Sequence, residues 1–274
     1  MHLTVDEKMI ENFFNKIIMT PWPFWKKLWK FQSKLNSTFI PIVALIIFST
    51  IISTSYSIIN HFAEWRNFST FSGNTSLDDS IPFIRNSILV YGLYYLLFAL
   101  MITATPRSKK GSLECIFAFQ IILTFTTICF LIFLFFPVEI TSRKNIDIGE
   151  GLIAIFYNTL HLADPPYNTW PSLHVTHSIL LSWIFIHWIK SGKGFLRFPE
   201  KSNDFIELIK NKIVPLLIWI ICISVIISTL TTKQHYILDI ITGVFLGIAG
   251  IYYMKKCIIH VEQNNENLIN YLES

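Results

Sequence analysis

Residues 114–137 have the sequence ECIFAFQIILTFTTICFLIFLFFP, in which Glu114 is the one charged residue. A helix needs about 20 consecutive, mostly apolar residues to cross the hydrocarbon core of a bilayer. The composition points the same way, because 52% of the 274 residues are hydrophobic and 15% are charged. Soluble domains usually carry about a quarter charged residues. The sequence therefore predicts a membrane protein.

Five further stretches have the length and the apolar character of a membrane span. The six predicted spans are 39–59, 82–104, 114–137, 171–190, 212–231 and 235–254. The first, third and fifth are strongly apolar, whereas the second, fourth and sixth contain polar residues. We expect an all-α integral membrane bundle of six transmembrane helices.

The basic residues predict the orientation of the chain. Of the 22 Lys and Arg residues, 17 lie in the N-terminal tail, in the loops after spans two and four, and after span six. The positive-inside rule then places both termini in the cytoplasm. Residues 60–81, 138–170 and 231–235 would lie on the other side. We expect a bacterial inner membrane with this side facing the periplasm, or an organelle membrane with it facing the lumen.

The N-terminal segment before span one alternates basic and aromatic residues. Lys26, Lys30 and Lys34 fall on one helical face, opposite an apolar face. This pattern is typical of an amphipathic helix that lies in the headgroup region of an anionic membrane. A juxtamembrane anchor without lipid preference is an equal alternative. The predicted divisions are a cytoplasmic tail with this interfacial segment over 1–38, the membrane domain over 39–256 and a cytoplasmic C-terminal tail over 257–274.

Other composition features exclude some classes of function. The first ten residues carry two acids and no apolar stretch, so we expect no cleavable signal peptide. The net charge of +4 belongs to the loops of one membrane side, which argues against a nucleic-acid partner. Four cysteines without a CxxC pair predict buried apolar positions and no disulfide framework, and they are Cys115, Cys129, Cys222 and Cys257.

Ionisable residues at membrane spans are costly and so are functional candidates. Two polar clusters, 168–174 and 231–239, lie at the starts of spans four and six on the same predicted face. His235 and Asp239 are four residues apart, which would stack them on one helical face if span six begins near His235. A carboxylate on one imidazole nitrogen fixes the tautomer and frees the other nitrogen as a base or nucleophile.

The cluster before span four suits anion binding. Pro171 fits a first helical turn, where Ser172 and open backbone N–H groups can face an anion. His174 would stand beside that end as a proton donor. The cations that a phosphate needs are Arg143, Lys144 and Lys233, on the same face.

The motifs Pro171-Ser172-Leu173-His174 and His235-Tyr236-Ile237-Leu238-Asp239 resemble the second and third motifs of the type 2 phosphatidic acid phosphatase (PAP2) superfamily. They are most similar to the branch that contains inositol phosphorylceramide and sphingomyelin synthases and many bacterial lipid phosphatases. The resemblance covers roughly residues 80–255. It implies His235 as the nucleophile that forms a phosphohistidine, Asp239 as its partner and His174 as the general acid. It requires no metal or other cofactor.

The resemblance has two departures. The first motif normally ends in Arg-Pro, whereas Lys144 follows Arg143 here. The third motif usually has an Arg six residues before its histidine, a place occupied by Thr229, and Lys233 would substitute as a point charge. The phosphate-binding set expected from sequence is therefore Arg143, Lys233, Ser172 and Lys144.

Several functions remain open from sequence alone. The leading hypothesis is a phosphatase that acts on a lipid phosphate monoester, and the second is a transferase of a phospho-headgroup to another lipid alcohol. A third is a metal site of His174, His177, His235 and Asp239, in an enzyme or a transporter. A fourth is a binder or channel without catalysis. His177 has a lining role or an interhelical hydrogen bond, and Gly243, Gly247 and Gly250 are predicted close-packing positions. The oligomeric state is not predicted.

Overall fold

Helices form nearly all the regular structure of this chain. The computed structural model describes residues 5–32, 38–66, 70–196, 198–199 and 203–274, and this part contains no β-strand. One 3-10 helix (Thr141–Asn145) lies in a loop, and a π-helical turn (Ile209–Ile213) joins α10 to α11. The α-helices are α1 (Val5–Met19), α2 (Phe24–Gln32), α3 (Phe39–Trp65), α4 (Ser76–Ser80), α5 (Ser87–Tyr91), α6 (Leu93–Ala104), α7 (Lys109–Phe135), α8 (Leu152–Ala163), α9 (Leu173–Ser191), α10 (Asp204–Leu208), α11 (Val214–Thr231) and α12 (Ile237–Glu273).

Five helical segments within the described residues are long and apolar enough to cross a membrane, which indicates a membrane protein. They are Phe39–Trp65, Ser87–Ala104, Lys109–Phe135, Asp204–Thr231 and Ile237–Glu273. They match five of the six predicted spans. The predicted span 171–190 corresponds to α9, which is helical but is not among the five. Its two histidines near the start, its three serines and a lysine in its last turn lower its apolar character.

Helix α9 is the most enclosed helix of the bundle. It packs against α6, α7, α11 and α12, and 14 of its 19 residues are buried. A helix shielded in this way does not face lipid, so it can carry polar side chains that a lipid-facing helix cannot. The arrangement explains why the helix with the weakest membrane signal lies at the centre.

Glycines let α12 approach α9 closely. A Cβ atom at Gly243 would lie 2.8 Å from the carbonyl oxygen of Ser172, and one at Gly247 would lie 2.9 Å from Cβ of Ile179. Thr176 on α9 adds an interhelical hydrogen bond, since its hydroxyl lies 3.2 Å from the carbonyl oxygen of Gly243. The predicted close-packing role of these glycines is confirmed.

The two N-terminal helices pack on the bundle, α1 against α7 and α12, and α2 against α3 and α12. We call α1, α2 and the turn between them the N-terminal hairpin. Trp25 and Trp29 of α2 are buried in the main core together with Ile18 of α1. Lys26 and Lys30 both donate to Ser274 at the end of α12. Lys34 of the predicted interfacial segment lies outside the described residues.

Helix α12 continues well past the predicted end of the membrane domain at residue 256. It runs to Glu273, with one non-helical residue at Asn264, and its last part packs against α2. Leu272 near its end is fully buried, and Glu273 forms an ion pair with Lys109 at the start of α7. We call this end of the bundle, which contains the N-terminal hairpin and the C-terminal part of α12, the tail end.

We predict that Gly247→Val destabilises the protein. The new side chain would meet the Cβ of Ile179 and force α12 away from α9. Overpacking of this kind costs about 1–3 kcal/mol. The midpoint of thermal unfolding in detergent should fall by several degrees. Ile248→Val on the exposed face of the same helix is the control and should unfold near the wild-type midpoint; equal midpoints for both variants would contradict the tight contact.

Candidate active site

His235 lies in the tight turn between α11 and α12. The backbone N–H groups of Gln234 and His235 both donate to the carbonyl oxygen of Thr229, at 3.0 and 3.1 Å, which ties the turn to the end of α11. Lys233 adopts a left-handed conformation with φ 57°, so the chain reverses within a few residues. His235 is 8% exposed and lines a cavity inside the bundle, which we call the main cavity.

Asp239 orients the ring of His235 through the start of α12. Because α12 begins at Ile237, Asp239 is the third residue of the helix, and its Oδ2 accepts a hydrogen bond from the N–H of Tyr236 at 2.9 Å. The same oxygen lies 3.3 Å from Nδ1 of His235. The two side chains meet because Asp239 caps the helix, not because they stack on one helical face. A proton on Nδ1 is held by the carboxylate, and Nε2 keeps its lone pair.

His174 faces the free nitrogen of His235. Nδ1 of His174 lies 3.4 Å from Nε2 of His235 and 3.4 Å from the hydroxyl of Tyr91. The rings of Tyr91 and Tyr94 pack against the imidazole of His174, with centroids 4.6 and 4.5 Å away. The structure therefore brings together two histidines that are 61 residues apart in the sequence.

Ser172 caps α9 directly before this histidine. Its hydroxyl accepts the N–H of Val175 at 3.4 Å, and the residue is fully buried. Its own N–H donates to the carbonyl oxygen of Asp239 at 3.1 Å. Ser172 thus connects the start of α9 with the start of α12, the two helix ends that carry the histidines.

Arg143 is held beside the cavity by a carboxylate. Its Nη1 donates to the backbone carbonyl of Asp164 at 2.6 Å, and Nη2 lies 3.4 Å from Oδ2 of the same residue. The other carboxylate oxygen accepts from Tyr56 at 2.6 Å and from Asn60 at 2.7 Å. Asp164 lines the cavity together with His174 and His235, whereas Arg143 does not line it and is connected to it by its bonds to Asp164.

The two predicted lysines have other partners. Lys144 is mostly exposed and pairs with Glu139 at 2.8 Å, a hydrogen bond that raises the pKa of the amine. Nζ of Lys233 donates to the carbonyl oxygens of Asp78 at 3.0 Å and Ile81 at 2.6 Å. The side chain of Lys233 and that of His235 line one small second pocket. Of the three predicted cations, Arg143 is the one that a residue of the main cavity binds directly.

A loop without a sequence motif supports the His235 turn. Oδ1 of Asp78 accepts the N–H of Ile237, the first residue of α12, at 2.7 Å. Asp78 is 5% exposed, and its Oδ2 accepts both the N–H and the hydroxyl of Thr75. Asp78 was not predicted from the sequence, because an acid between predicted spans is usually solvated and its partner is 159 residues away.

His161 is held next to the same turn. Burial lowers its pKa, and the nearby Arg143 lowers it further. A neutral ring can accept from Nε2 of Gln234 at 3.3 Å, beside His235. His161 therefore contributes to the surroundings of the turn.

His177 is fully hydrogen-bonded within the bundle. The Thr126 hydroxyl donates to the carbonyl oxygen of Ile122, so it accepts from Nε2 of His177 at 2.9 Å. Nδ1 then accepts from the hydroxyl of Tyr94 at 2.8 Å. This is the interhelical role considered from sequence, and His177 also lines the main cavity, as the other predicted role required. No group of three or more His, Cys, Asp or Glu residues in the described part of the chain is arranged to hold a metal ion.

A cavity of about 590 Å³ leads away from the histidines. One stripe of α3 forms a long side of it, namely Leu45, Phe48, Ser49, Ile52, Ser53, Tyr56 and Ser57. At 1.5 Å per residue the stripe is about 18 Å long. Ser49 and Ser53 on α3 and Tyr95 and Ala99 on α6 are exposed, so the cavity opens on its side between these two helices.

Asn168 is a further polar residue of this cavity. It is 3% exposed, and neither its amide nitrogen nor its amide oxygen has a hydrogen-bond partner in the described structure. It lines the cavity with His174, His235 and Asp164. The sequence placed Asn168 in a polar cluster but gave no sign that its amide would be buried without a partner.

Comparison with known proteins finds one family that matches part of the chain. Residues 151–261 match the family model of the PAP2 superfamily. The matched segment includes His174, His235 and Asp239, and it indicates phosphatase or phosphotransferase activity on a phosphate-containing substrate. No curated protein and no solved structure gives a significant match to the chain.

We predict that Asn168→Leu stabilises the protein and weakens its action on a phosphorylated substrate. An unpartnered buried amide costs about 1–3 kcal/mol, so an apolar side chain of similar size should raise the midpoint of thermal unfolding. The loss of a hydrogen bond to the substrate should lower kcat/KM about tenfold. Asn60→Leu is the matched control and should lower the midpoint, because its amide donates to Asp164. A lower midpoint for Asn168→Leu would contradict this interpretation.

Proposed function

We propose that this protein is an integral membrane phosphatase that removes phosphate from a lipid phosphate monoester through a phosphohistidine on His235. One observation carries the proposal: Nε2 of His235 faces His174 at 3.4 Å while Asp239 holds Nδ1. This is the arrangement that a nucleophilic histidine with an adjacent general acid needs. The PAP2 match over 151–261 supports the same chemistry.

The proposed reaction has two displacements at phosphorus. In the first, Nε2 of His235 forms a bond to phosphorus, the bond to the lipid oxygen breaks, and His174 gives a proton to the departing oxygen. In the second, water gives a proton to His174 and its oxygen bonds to phosphorus, and the bond to His235 breaks. Asp239 stabilises the positive charge on the His235 ring throughout. Inorganic phosphate and a lipid alcohol are the products.

The four proposed phosphate-binding groups would contribute in different ways. Arg143 pairs with Asp164 of the cavity wall, and a phosphate could take the place of Asp164 on one of its nitrogens. Lys233 shares the second pocket with His235 and contributes charge from the turn. Ser172 contributes by fixing the start of α9, whose backbone N–H groups favour an anion. Lys144 contributes long-range charge from the exposed loop.

The cavity supports a lipid as the substrate. Its walls are mainly apolar and aromatic, it reaches far from the histidines along α3, and it opens between α3 and α6. Pockets of about 300–1,000 Å³ with a few polar groups at one end are typical of small-molecule sites. A lipid could enter from the bilayer through the side opening with its phosphate at the histidines. No other cofactor or macromolecular partner is needed for this reaction.

We further propose the six-span topology, with α9 as the fourth span. Its 19 residues would extend about 29 Å, close to the thickness of a bilayer core. The proposed site then faces the periplasm or a lumen, with both termini in the cytoplasm. The motif forms Pro171–His174 and His235–Asp239 favour the synthase and bacterial phosphatase branch of the superfamily.

A specific observation favours a second candidate, the headgroup transferase. In the described lining of the main cavity there is no Lys or Arg, and Arg143 is already paired with Asp164. A phosphodiester carries one negative charge and a phosphate monoester up to two, so weaker positive charge suits a diester. A lipid hydroxyl would then replace water in the second displacement.

The test of the proposed function is phosphate release by the purified protein. The substrates are phosphatidic acid, phosphatidylglycerophosphate and an isoprenyl diphosphate, each in detergent micelles. We expect His235→Ala to lower kcat at least about 10⁴-fold, as loss of a nucleophile does, and His174→Ala to lower it about 10²–10⁴-fold. His61→Ala, an exposed position on α3, should keep wild-type activity.

The same assay separates the candidates. Headgroup exchange between a phospholipid and a lipid alcohol, without phosphate release, would favour the transferase and overturn the phosphatase. Full activity of His235→Ala would overturn both. Loss of activity with EDTA that is restored by a divalent metal would overturn the metal-free mechanism.

A further inference from the structure

The N-terminal hairpin has no role in the proposed chemistry, yet it is one of the most aromatic parts of the chain. Trp25 is fully buried, and its ring stacks on Phe48 of α3 with centroids 5.7 Å apart and planes 12° apart. Phe24 also approaches Phe48, at 6.3 Å. A helix that only rested on a membrane surface would not place a tryptophan inside the bundle.

Phe48 is shared between the hairpin and the cavity. It lines the cavity together with Leu45, Phe119 and Ile122. Leu45 and Phe48 precede Tyr56 on α3 by about two to three turns, and Tyr56 bonds Asp164 beside the histidines, so we place these four residues at the end of the cavity remote from His235. The ring of Phe48 packs against Phe119 at 5.0 Å. Trp25 does not line the cavity itself but lies behind the wall that Phe48 forms. We call these four lining residues the inner end of the cavity.

The hairpin is anchored firmly at this depth. Trp22 donates its N–H to Oε1 of Gln120 at 3.0 Å, and Nε2 of Gln120 lies 3.0 to 3.3 Å from the carbonyl oxygens of three residues at the end of α1 and the start of the turn, Ile17, Ile18 and Thr20. Gln120 is fully buried and lies about 16 Å along α7 from its first residue. The turn therefore reaches into the bundle and cannot slide without losing these hydrogen bonds.

We propose that Trp25, by supporting Phe48, closes the inner end of the cavity and sets the longest hydrocarbon chain that the substrate can carry. This proposal rests on the proposed lipid substrate. A chain that enters between α3 and α6 with its phosphate at the histidines would extend along the stripe of α3 toward Leu45 and Phe48. Because tightly packed aromatic rings move little, a longer hydrocarbon chain would clash with the ring of Phe48.

The experiment measures a chain-length profile. Full-length protein in detergent micelles is given phosphatidic acids of increasing chain length, and kcat/KM is determined for each. Trp25→Ala leaves Phe48 without its support, so the ratio of kcat/KM for long over medium chains should rise roughly tenfold. Leu45→Phe fills the inner end and should move the profile toward shorter chains.

Trp29→Ala is the matched control. It removes a second buried indole from the same helix, but Trp29 lies one turn further on and interacts with Glu273 near the C-terminus. We expect a comparable loss of thermal stability with an unchanged chain-length profile. Equal loss of activity on all chain lengths in both variants would overturn the proposal, since it would indicate a purely structural role for Trp25.

A second readout keeps this proposal apart from the proposed function. Non-hydrolysable phosphonate analogues of the same chain lengths should raise the midpoint of thermal unfolding according to their affinity. If the wild type releases no phosphate from any lipid but Trp25→Ala shifts this stabilisation toward longer analogues, the result would support the chain-length proposal and overturn the proposed phosphatase activity. If phosphate is released but neither profile shifts in Trp25→Ala, the phosphatase stands and the chain-length proposal falls.

Discussion

The shielding of α9 from lipid is the constraint on which the rest of this structure depends. His174 and His177 sit on a helix that also carries several serines and a threonine, and such a helix is costly against hydrocarbon. The surrounding helices remove that cost by enclosing α9 on all of its length. Gly243 and Gly247 are needed because they bring α12, which carries Asp239, close enough for the two helix starts to share one site.

Enclosure of α9 also orders the polar residues around the site. His177 uses both ring nitrogens in bonds to α6 and α7, so it joins three helices at a level below His174. Among the described residues, the hydrogen-bond contacts of His174 are to Tyr91 and His235, and both are long at 3.4 Å. Both histidines line the cavity, but His177 is held by short, complete hydrogen bonds, whereas the hydrogen-bond contacts of His174 are long. Short and satisfied contacts rigidify a site, whereas reacting groups must be able to exchange partners with a substrate.

Much of this could be predicted from the sequence, because hydropathy and helical spacing are local properties. Five spans follow from apolar length alone. The contact between His235 and Asp239 was also predicted, but from stacking on one helical face, whereas His235 lies before the first residue of α12. The capping role of Asp239 could not be predicted, since it depends on whether α12 begins before or after His235. The packing of α2 at the tail end could not be predicted either, because the amphipathic pattern of Lys26 and Lys30 suits a helix on a membrane surface as well as a helix packed on a bundle. The tertiary contacts of Trp25 show that this segment packs on the bundle, and its position in the headgroup region stays a prediction.

The cations were the hardest part to predict, and the reason is physical. A charged side chain in a loop can reach several partners, and the partner that it finds depends on segments distant in sequence. Arg143 pairs with Oδ2 of Asp164, and Oδ1 of the same carboxylate accepts hydrogen bonds from Tyr56 and Asn60 of α3. This places a neutralised pair, not a free cation, at the cavity wall. In the proposed mechanism, positive charge next to the histidines would become available when a substrate phosphate competes with Asp164 for the guanidinium, so that binding of the phosphate and rearrangement of this ion pair would be a single event.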